Sequence, residues 1–321
     1  NSILKQNNAV IESLGADYKN SYNKKVVTKS KRYSHVRVIG MGGSILGTKA
    51  INDFLEKKIK KNFYFIGNLQ SKTYSSDKKK KYINIIVSKS GNTLETISNS
   101  NFFIKKKDKN IFITENRESY LYTLAKKLKA EIIHHNNFIG GRYSVLSEVG
   151  MLPAELMGLN IKKFKKLNNL IKNKKFINEL IVNVNNTIFF LKQKKYNSII
   201  LNYDESLDSL LKWYQQLVAE SLGKKGKGIL PIISPMPKDN HSVMQLYLDG
   251  PKNNFFTFFY ANEKKKNKIN NKLILPTHKH LINKNFEQII CSQKLATEKV
   301  FLKKNMPFRS FEIINKDEKA L

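Results

Sequence analysis

The chain has 321 residues, of which 40% are hydrophobic, and it carries a formal net charge of +33 at pH 7. A chain of this length typically forms about two domains with a substantial core, and no apolar run reaches the roughly 20 residues that span a bilayer. Its first residues lack the layout of a signal peptide, and its one cysteine, Cys291, excludes an intrachain disulfide. We therefore expect a cytoplasmic protein without membrane association.

The excess of positive charge does not by itself predict a nucleic-acid partner. Only five of the 58 basic residues are arginine, whose planar guanidinium reads bases and phosphates with two hydrogen bonds. Lysine occurs together with abundant Asn and Ile, which share A/T-rich codons, and in short runs such as residues 105–107 that are typical of solvated loops. We expect no specific nucleic-acid binding, the alternative being a weak electrostatic association at low salt.

The first half of the chain alternates apolar runs with helical patterns. Strands are predicted at residues 36–40, 63–66, 83–87 and 110–114, and helices from about residue 48 and at residues 93–105 and 119–129. This alternation predicts a parallel sheet covered by helices on both faces. Ligands of such sheets bind at the carboxyl ends of the strands.

The second half repeats the alternation after a helical segment rich in Lys and Asn at about residues 159–195. Strands are predicted at residues 198–201, 229–233 and 255–260, and a helix at residues 207–222. We therefore predict two α/β lobes of similar type, residues 1–158 and residues 159–321, with the helical segment as their connection.

Two turns that follow predicted strands are suited to holding a phosphate. The first reads Gly40-Met41-Gly42-Gly43-Ser44, and the second reads Ser88-Lys89-Ser90-Gly91-Asn92-Thr93. Glycine lets the backbone approach a phosphate, hydroxyls donate hydrogen bonds, and a helix start attracts anions. Asn92 and Glu95 are expected to form a capping box. An ordinary turn rich in small residues is the alternative, and because neither turn matches the dinucleotide or P-loop pattern, a monophosphate is favoured over a nucleotide.

Glu220 is the candidate base. Gln216 and Glu220 are one turn apart on the predicted helix at 207–222 and share a face that points away from its apolar stripe. Trp213 lies on the same face, which suggests a covered cleft that could raise the pKa of the carboxylate towards a value useful for a base. The alternative is a solvated face on which Glu220 pairs with Lys224.

His241 and Arg142 complete the candidate residues. His241 follows in a loop rich in Pro and Ser, where a histidine is more often structural than catalytic. Arg142 comes after a pair of glycines and could stabilise negative charge that develops on an enediolate oxygen, or form a structural salt bridge. The other histidines considered, His134, His135, His278 and His280, are expected at the surface, and no set of His, Asp and Cys has the spacing of metal ligands.

Five segments taken together resemble the glucose-6-phosphate isomerase (phosphoglucose isomerase) family. They are residues 40–44, 88–96, 140–144, 216–224 and 239–246, and they occur in family order. One such match is weak evidence, whereas five in order are highly specific. The departures within these segments are conservative: Met41 replaces the usual isoleucine, and the second turn keeps its hydroxyls at the positions of the family's Thr-Phe-Thr-Thr version.

The resemblance implies an α/β fold of two sugar-isomerase lobes, each a three-layer α/β/α sandwich with a mainly parallel sheet, and a homodimer. It implies a sugar-phosphate substrate whose phosphate is held by Gly43, Ser44, Ser88, Lys89, Ser90 and Thr93. Glu220 would move a proton between C2 and C1 through a cis-enediol, Arg142 would stabilise that intermediate, and Gln216 would line the sugar site. His241 would assist ring opening from the partner subunit, and no metal or organic cofactor would be needed.

The implied reaction is the interconversion of glucose 6-phosphate and fructose 6-phosphate in glycolysis and gluconeogenesis. The family also carries a lysine that works with the histidine on the ring oxygen, and nothing after Phe311 matches it. The second lobe is therefore expected to be incomplete at its C-terminus, and this chain alone to turn over closed-ring substrate weakly or not at all. The alternatives are a non-catalytic sugar-phosphate-sensing module of the same fold and an isomerase that also accepts mannose 6-phosphate, since residues 90–93 resemble loops of such dual enzymes.

Overall fold

The structure is a computed structural model that describes residues 8–69, 81–262 and 268–321. In its first half the strands are β1 (His35–Gly40), β2 (Asn62–Ile66), β3 (Tyr82–Val87), β4 (Lys109–Thr114) and β5 (Glu131–His134). They form a parallel sheet in the order β2-β1-β3-β4-β5. Every residue of β3 is buried, as a central strand covered on both faces requires.

Six helices accompany this sheet in the described residues. They are α1 (Ala9–Leu14), α2 (Lys24–Ser30), α3 (Leu46–Phe54), α4 (Leu94–Phe103), α5 (Tyr120–Lys127) and α6 (Glu148–Leu156). Apolar residues of β1, β3 and β4 form one cluster with α2 and α6 and a second cluster with α4 and α5. The sheet is therefore the middle layer of an α/β/α sandwich, as predicted.

The second half contains α7 (Leu167–Lys172), α8 (Lys174–Lys192), β6 (Asn197–Asn202), α9 (Asp208–Leu222), β7 (Leu230–Pro235), α10 (Met244–Asp249), β8 (Asn254–Ala261), α11 (Phe286–Lys303) and β9 (Phe308–Ile313). Its strands form a second parallel sheet in the order β7-β6-β8-β9. None of the helices in the described part of the chain has the length and apolar character needed to cross a membrane.

One apolar cluster joins the two halves. Ile51 and Phe54 of α3 and Met151 of α6 belong to the same buried cluster as Leu211 of α9 and Ile200 of β6. Burying side chains of this size stabilises the fold by roughly 1.5–3 kcal/mol each. This packing fixes α9 relative to α3, and α3 begins at the carboxyl end of β1. A helix of the second half is thereby held at the ligand-binding edge of the first sheet.

The predicted strands and helices of both sheets are confirmed to within a few residues at their ends, and the helical connection contains α7 and α8. The sequence analysis gave no range for α1, α2, β5, α6, α10, α11 or β9. In β9 the apolar residues of Phe-Arg-Ser-Phe-Glu-Ile are interrupted by charge and none of them is fully buried, since the strand lies at the edge of its sheet. In α11 few residues are buried, and the helix shows only a weak apolar stripe.

Candidate active site

The two predicted phosphate turns meet at one edge of the first sheet. Gly40, the last residue of β1, lies opposite Val87, the last residue of β3. A 3₁₀ turn, Gly42–Ser44, follows β1 and leads into α3, and residues 88–93 follow β3 and lead into α4. The carboxyl edge of a parallel sheet is where α/β proteins bind ligands, and helix starts at that edge attract anions.

The first turn needs glycine because of what lies beside it. Gly42 has a φ of +53°, and a Cβ there would lie 2.9 Å from Gln216 Nε2. A Cβ on Gly43 would lie 2.3 Å from the carbonyl carbon of Gly141 and 2.5 Å from Arg142 N. Because those atoms belong to the backbone, no side-chain movement could relieve the clash. The first turn therefore touches both α9 and the segment that carries Arg142.

The second turn is held in shape by its own hydroxyls. Ser88 is buried, and its Oγ lies 3.0 Å from Thr93 Oγ1 and accepts a hydrogen bond from Gly91 N at 3.2 Å. Ser90 Oγ accepts a hydrogen bond from Asn92 N, also at 3.2 Å. These contacts fix the positions of three hydroxyls in front of the first turn of α4, where backbone N–H groups lack helical partners.

Lys89 is directed towards the segment that follows β5. Its Nζ donates a hydrogen bond to the carbonyl oxygen of Asn137 at 2.6 Å and lies 3.5 Å from Glu115 Oε1. The ammonium therefore joins the second turn to two neighbouring loops. Contact between Lys89 and a phosphate stays a prediction.

The predicted capping box of Asn92 and Glu95 is wrong. The N-cap of α4 is Thr93, and its side chain makes no capping hydrogen bond. Asn92 Oδ1 instead accepts a hydrogen bond from Tyr120 N at 2.9 Å, which ties the turn to the start of α5. A long-range contact thus takes the amide that the local pattern assigned to α4.

Arg142 lies on the 3₁₀ segment Gly141–Leu146 and reaches α9 of the second half. Its Nη1 is 2.7 Å from Glu220 Oε1, and its Nε donates to Ser221 Oγ at 3.0 Å. The guanidinium lies 4.6 Å from the centre of the Tyr143 ring, and the Tyr143 hydroxyl lies 2.9 Å from Ser221 Oγ. The interaction with Tyr143 and the charge of Glu220 outweigh partial burial and raise the pKa of Arg142, so the guanidinium stays charged.

Glu220 is held between two partners but remains open to solvent. Its side chain is 51% exposed, against 18% for Arg142. Gln216 donates from Nε2 to Glu220 Oε2 at 3.2 Å, as expected for side chains one turn apart. The ion pair of Glu220 joins it to Arg142, whereas the solvated-face alternative paired it with Lys224. Gln216 Oε1 is buried and has no hydrogen-bond partner among the described residues.

Trp213 does not form the cover over Glu220 that the sequence suggested. Its Nε1 donates a hydrogen bond to the carbonyl oxygen of Arg142 at 3.4 Å. The indole therefore supports the segment that carries the arginine, and together with Val145 and Leu217 it lines an apolar cavity of about 430 Å³ beside that segment.

His241 is exposed and lies at the end of a 3₁₀ turn, Lys238–His241, after β7. The turn is braced by Asp239, whose carboxylate accepts hydrogen bonds from Ser234 Oγ at 2.6 Å and Ser242 Oγ at 2.9 Å. Within the described residues the imidazole forms no hydrogen bond or ion pair with Glu220 or Arg142. The structure of the single chain thus brings Arg142, Gln216 and Glu220 together and leaves His241 apart from them.

Among the histidines expected at the surface, His135 is an exception. It is 3% exposed, whereas His134, His278 and His280 are exposed. His134 and His135 are consecutive at the end of β5, so the alternation of side chains along a strand places them on opposite faces. The sequence also did not single out Ser221 and Tyr143, which hold the guanidinium. Both lie beside residues it did single out.

The site therefore has two parts that suit a phosphorylated substrate. At the carboxyl edge of the first sheet, two turns present hydroxyls, glycine backbone and two helix starts, which can hold a phosphate. Beside them, α9 presents a solvent-accessible carboxylate that is paired with a guanidinium. A carboxylate can take up and return a proton, and a guanidinium can stabilise an oxygen that becomes negative.

Comparison with known sequences gives one consistent family. The family model described as "Phosphoglucose isomerase" matches residues 20–286. The chain is 34% identical over 291 residues to a glucose-6-phosphate isomerase of Methanocaldococcus jannaschii, with 86% of this chain and 71% of that protein covered. It is 28% identical over 307 residues to a glucose-6-phosphate isomerase of Campylobacter jejuni, with 89% and 75% covered.

Solved structures share the fold. A hypothetical protein from Thermus thermophilus superposes with a TM-score of 0.79 at 20% identity, covering 99% of this chain and 83% of that one. A glucose-6-phosphate isomerase from Chlamydia trachomatis superposes with a TM-score of 0.70 at 16% identity, covering 92% and 64%. At these identities the superpositions establish the two-lobed α/β architecture.

Proposed function

This chain belongs to the phosphoglucose isomerase family, and on that premise we propose that it interconverts glucose 6-phosphate and fructose 6-phosphate. The observation that carries the proposal is the pair formed by Arg142 Nη1 and Glu220 Oε1, 2.7 Å apart, beside two turns suited to a phosphate. A base and a cation placed together in this way are what proton transfer through a cis-enediol requires.

The phosphate of the sugar is proposed to bind at the two turns. Its oxygens would accept hydrogen bonds from the hydroxyls of Ser44, Ser88, Ser90 and Thr93 and from backbone N–H groups at Gly43 and the first turn of α4. Lys89 would add positive charge at the edge of this cradle. The fixed hydroxyl positions of the second turn favour binding because little conformational freedom is lost when the phosphate arrives.

Glu220 is proposed to be the proton carrier. Its carboxylate would take the proton from C2 of the open-chain aldose, leaving a cis-enediolate with its negative charge on O1. The hydroxyl proton on O2 would move to O1, and return of the carbon-bound proton to C1 would give the ketose with its carbonyl at C2. Arg142 would stabilise the enediolate because its guanidinium is charged and lies beside the Glu220 carboxylate that takes the proton. The half-exposed state of Glu220 supports this role, since the carboxylate is accessible to a substrate.

Gln216 is proposed to bind a hydroxyl of the sugar. Its Nε2 is engaged by Glu220, while its buried Oε1 has no partner among the described residues. Leaving a buried acceptor without a partner costs about 1–3 kcal/mol of stability. A sugar hydroxyl that donates to Gln216 Oε1 would relieve that cost, which favours binding of the sugar.

We also propose how the chain is divided, how it assembles and where it is located. We place the boundary of the two lobes at residues 158 and 159, and we propose a cytoplasmic homodimer in which His241 of one subunit opens the sugar ring bound by the other. The exposure of His241 and its separation from Glu220 within the chain support a role across an interface. No metal or organic cofactor takes part in this scheme.

The proposal is tested by following glucose 6-phosphate in D₂O by proton NMR. Because this chain alone is expected to open the sugar ring weakly, wild-type protein should form fructose 6-phosphate slowly, and it should introduce deuterium at the carbons between which the proton moves. Glu220→Gln should lower kcat by about a thousandfold, within the range that a general base supplies, while calorimetry finds sugar-phosphate binding within about threefold of wild type. Glu179→Gln, on an exposed face of α8, is the matched control and should change neither quantity.

The outcomes separate the rival functions. Binding of glucose 6-phosphate by the wild-type protein, with neither fructose 6-phosphate nor incorporated deuterium after long incubation, would favour a sugar-phosphate-sensing module of the same fold. Turnover that survives in Glu220→Gln would overturn the assignment of the base. A parallel assay with mannose 6-phosphate decides whether the enzyme also accepts the C2 epimer.

A further inference from the structure

The segment that carries Arg142 is closed at its two ends by a buried ion pair. His135 directly precedes this segment, residues 136–147, and Glu148 begins α6 directly after it. His135 Nδ1 and Glu148 Oε1 are hydrogen-bonded, and the two side chains are 2% and 0% exposed. The proposed mechanism does not use either group.

Both nitrogens of the His135 ring face acceptors. Nδ1 faces the Glu148 carboxylate, and Nε2 lies 3.0 Å from the carbonyl oxygen of Ile139, which is itself within the segment. Each ring nitrogen is therefore engaged by an oxygen of the protein, one on Glu148 and one within the segment. His135 thus fastens the start of the segment to Glu148 at its end.

The groups around the carboxylate favour its charged form. The Tyr18 hydroxyl donates to Glu148 Oε2 at 3.4 Å, and Lys165 lies over the Tyr18 ring with its Nζ 4.4 Å from the ring centre. Burial alone would raise the pKa of Glu148, but the hydrogen bond and charge of His135, with backbone N–H groups of Glu148 and Asn136, hold it below its usual value.

The segment between the two ends is braced so that a shift at its ends reaches Arg142. Tyr143 N donates to the carbonyl oxygen of Gly140 at 2.9 Å, and Ser144 Oγ donates to that of Gly141 at 2.7 Å. Gly141 also abuts Gly43 of the first turn. These contacts leave the backbone at Arg142 little freedom to adjust on its own.

We propose that the buried His135–Glu148 pair is a positioning device that sets the place of the Arg142 guanidinium opposite Glu220. The inference rests on the proposed function for its kinetic consequence, since a displacement of about 1 Å at a catalytic group can cost about a hundredfold in rate. His135 and Glu148 are positioning residues because they act through Arg142.

The experiment compares Glu148→Ala with Glu148→Gln. Alanine removes the pair, whereas the glutamine amide can donate to Nδ1 of a neutral His135, whose Nε2–H still bonds Ile139. In Glu148→Ala, kcat should fall about tenfold to a hundredfold while KM for glucose 6-phosphate changes less than about threefold, because the phosphate turns are untouched. Glu148→Gln should recover most of kcat. Glu155→Ala, on the same helix beside Tyr22, is the matched control and should keep the wild-type kcat.

Two further readouts separate this inference from the proposed function. The Nε–H NMR signal of Arg142, assigned through Arg142→Lys among only five arginines, should move in Glu148→Ala and return in Glu148→Gln. Binding of 5-phosphoarabinonate, a sugar-acid phosphate whose carboxylate resembles an enediolate, should weaken in Glu148→Ala.

All variants are compared at a temperature where circular dichroism finds them folded. If folded Glu148→Ala keeps the wild-type kcat and the wild-type Arg142 signal, the positioning role is wrong. A fall in kcat that Glu148→Gln does not restore would also overturn it. If the wild-type protein neither turns over glucose 6-phosphate nor binds 5-phosphoarabinonate, the proposed function fails, and the Arg142 signal alone then decides the positioning role.

Discussion

Two ion pairs that involve the stretch of chain from His135 to Glu148 differ in their exposure to solvent. His135 and Glu148 are 2% and 0% exposed, and each ring nitrogen of the histidine faces an oxygen of the protein. The side chains of Arg142 and Glu220 are 18% and 51% exposed, and these two residues lie in different halves of the chain. We call His135–Glu148 the closed pair, because it joins the two ends of the segment at residues 136–147. We call Arg142–Glu220 the open pair, because it extends from the middle of that segment into solvent.

This difference in solvent exposure suits the closed pair to holding the structure and the open pair to contact with a substrate. Removing one partner of a buried pair leaves an uncompensated charge in a medium of low dielectric, so the closed pair resists disruption. An exposed pair is stabilised little by its own attraction, so a substrate can displace it without a large cost. The proton exchange with a sugar that we propose for Glu220 suits a pair of the second kind. The residues that hold its partner in place belong to the first.

The largest expected effect is on stability. Glu148→Ala should lower the free energy of unfolding by about 3–5 kcal/mol, the usual cost of breaking a buried pair, whereas Glu220→Ala should lower it by less than about 1 kcal/mol. Urea unfolding followed by circular dichroism measures both. Equal losses in the two variants would remove the distinction between a closed and an open pair.

Arg142→Lys should act on rate and not on stability. Lysine keeps the charge but cannot bond Glu220 and Ser221 at the same time through a planar fork. We expect kcat to fall about a hundredfold, as for the loss of one donor at a developing oxyanion, with unfolding unchanged within about 1 kcal/mol. A large loss of stability with wild-type kcat would mean that the open pair is structural.

Ser221→Ala should have a smaller effect in the same direction. Ser221 Oγ bonds both Arg142 Nε and the Tyr143 hydroxyl, so its removal loosens the guanidinium without removing it. A hydrogen bond of about 1 kcal/mol corresponds to a fall in kcat of roughly fivefold. Ser292→Ala, at an exposed position of α11, is the control that steady-state kinetics should find unchanged.

The sequence predicted the sheets well and the contacts between distant residues poorly. The short run Ile83–Val87 is apolar apart from Asn84, and its length and the flanking turns and helices favour a buried strand. The two turns follow from the strand ends. Arg142 and Glu220 are 78 residues apart in sequence, and no local pattern records their distance. Only the family resemblance, which orders five segments, allowed the sequence to place them in one site.

His135 was misassigned for a reason that local physics could have corrected. It stands beside exposed His134 at the end of β5, and strand alternation places the next residue on the covered face. Its partner Glu148 stands in the first turn of α6, where acidic residues are common, so the sequence carries no signal that this carboxylate is buried. Only the fold reveals that both lie in the interior and meet.

A pH dependence of stability is expected at Lys165, next to the closed pair. Burial lowers the pKa of Lys165 to about 8, and the charge of Glu148 opposes that fall. The folded state therefore binds fewer protons than the unfolded state between pH 8 and the ordinary lysine value near 10.4. Stability attributable to this group is lowest below pH 8 and rises as the pH increases through that window. Wild-type protein should gain unfolding free energy relative to Lys165→Met between about pH 8 and pH 10, measured by urea titration at each pH.

In Glu148→Gln the Lys165 titration, followed by NMR of isotopically labelled lysine, should move to lower pH because the opposing charge is gone. An unchanged titration would mean that the carboxylate does not act on Lys165.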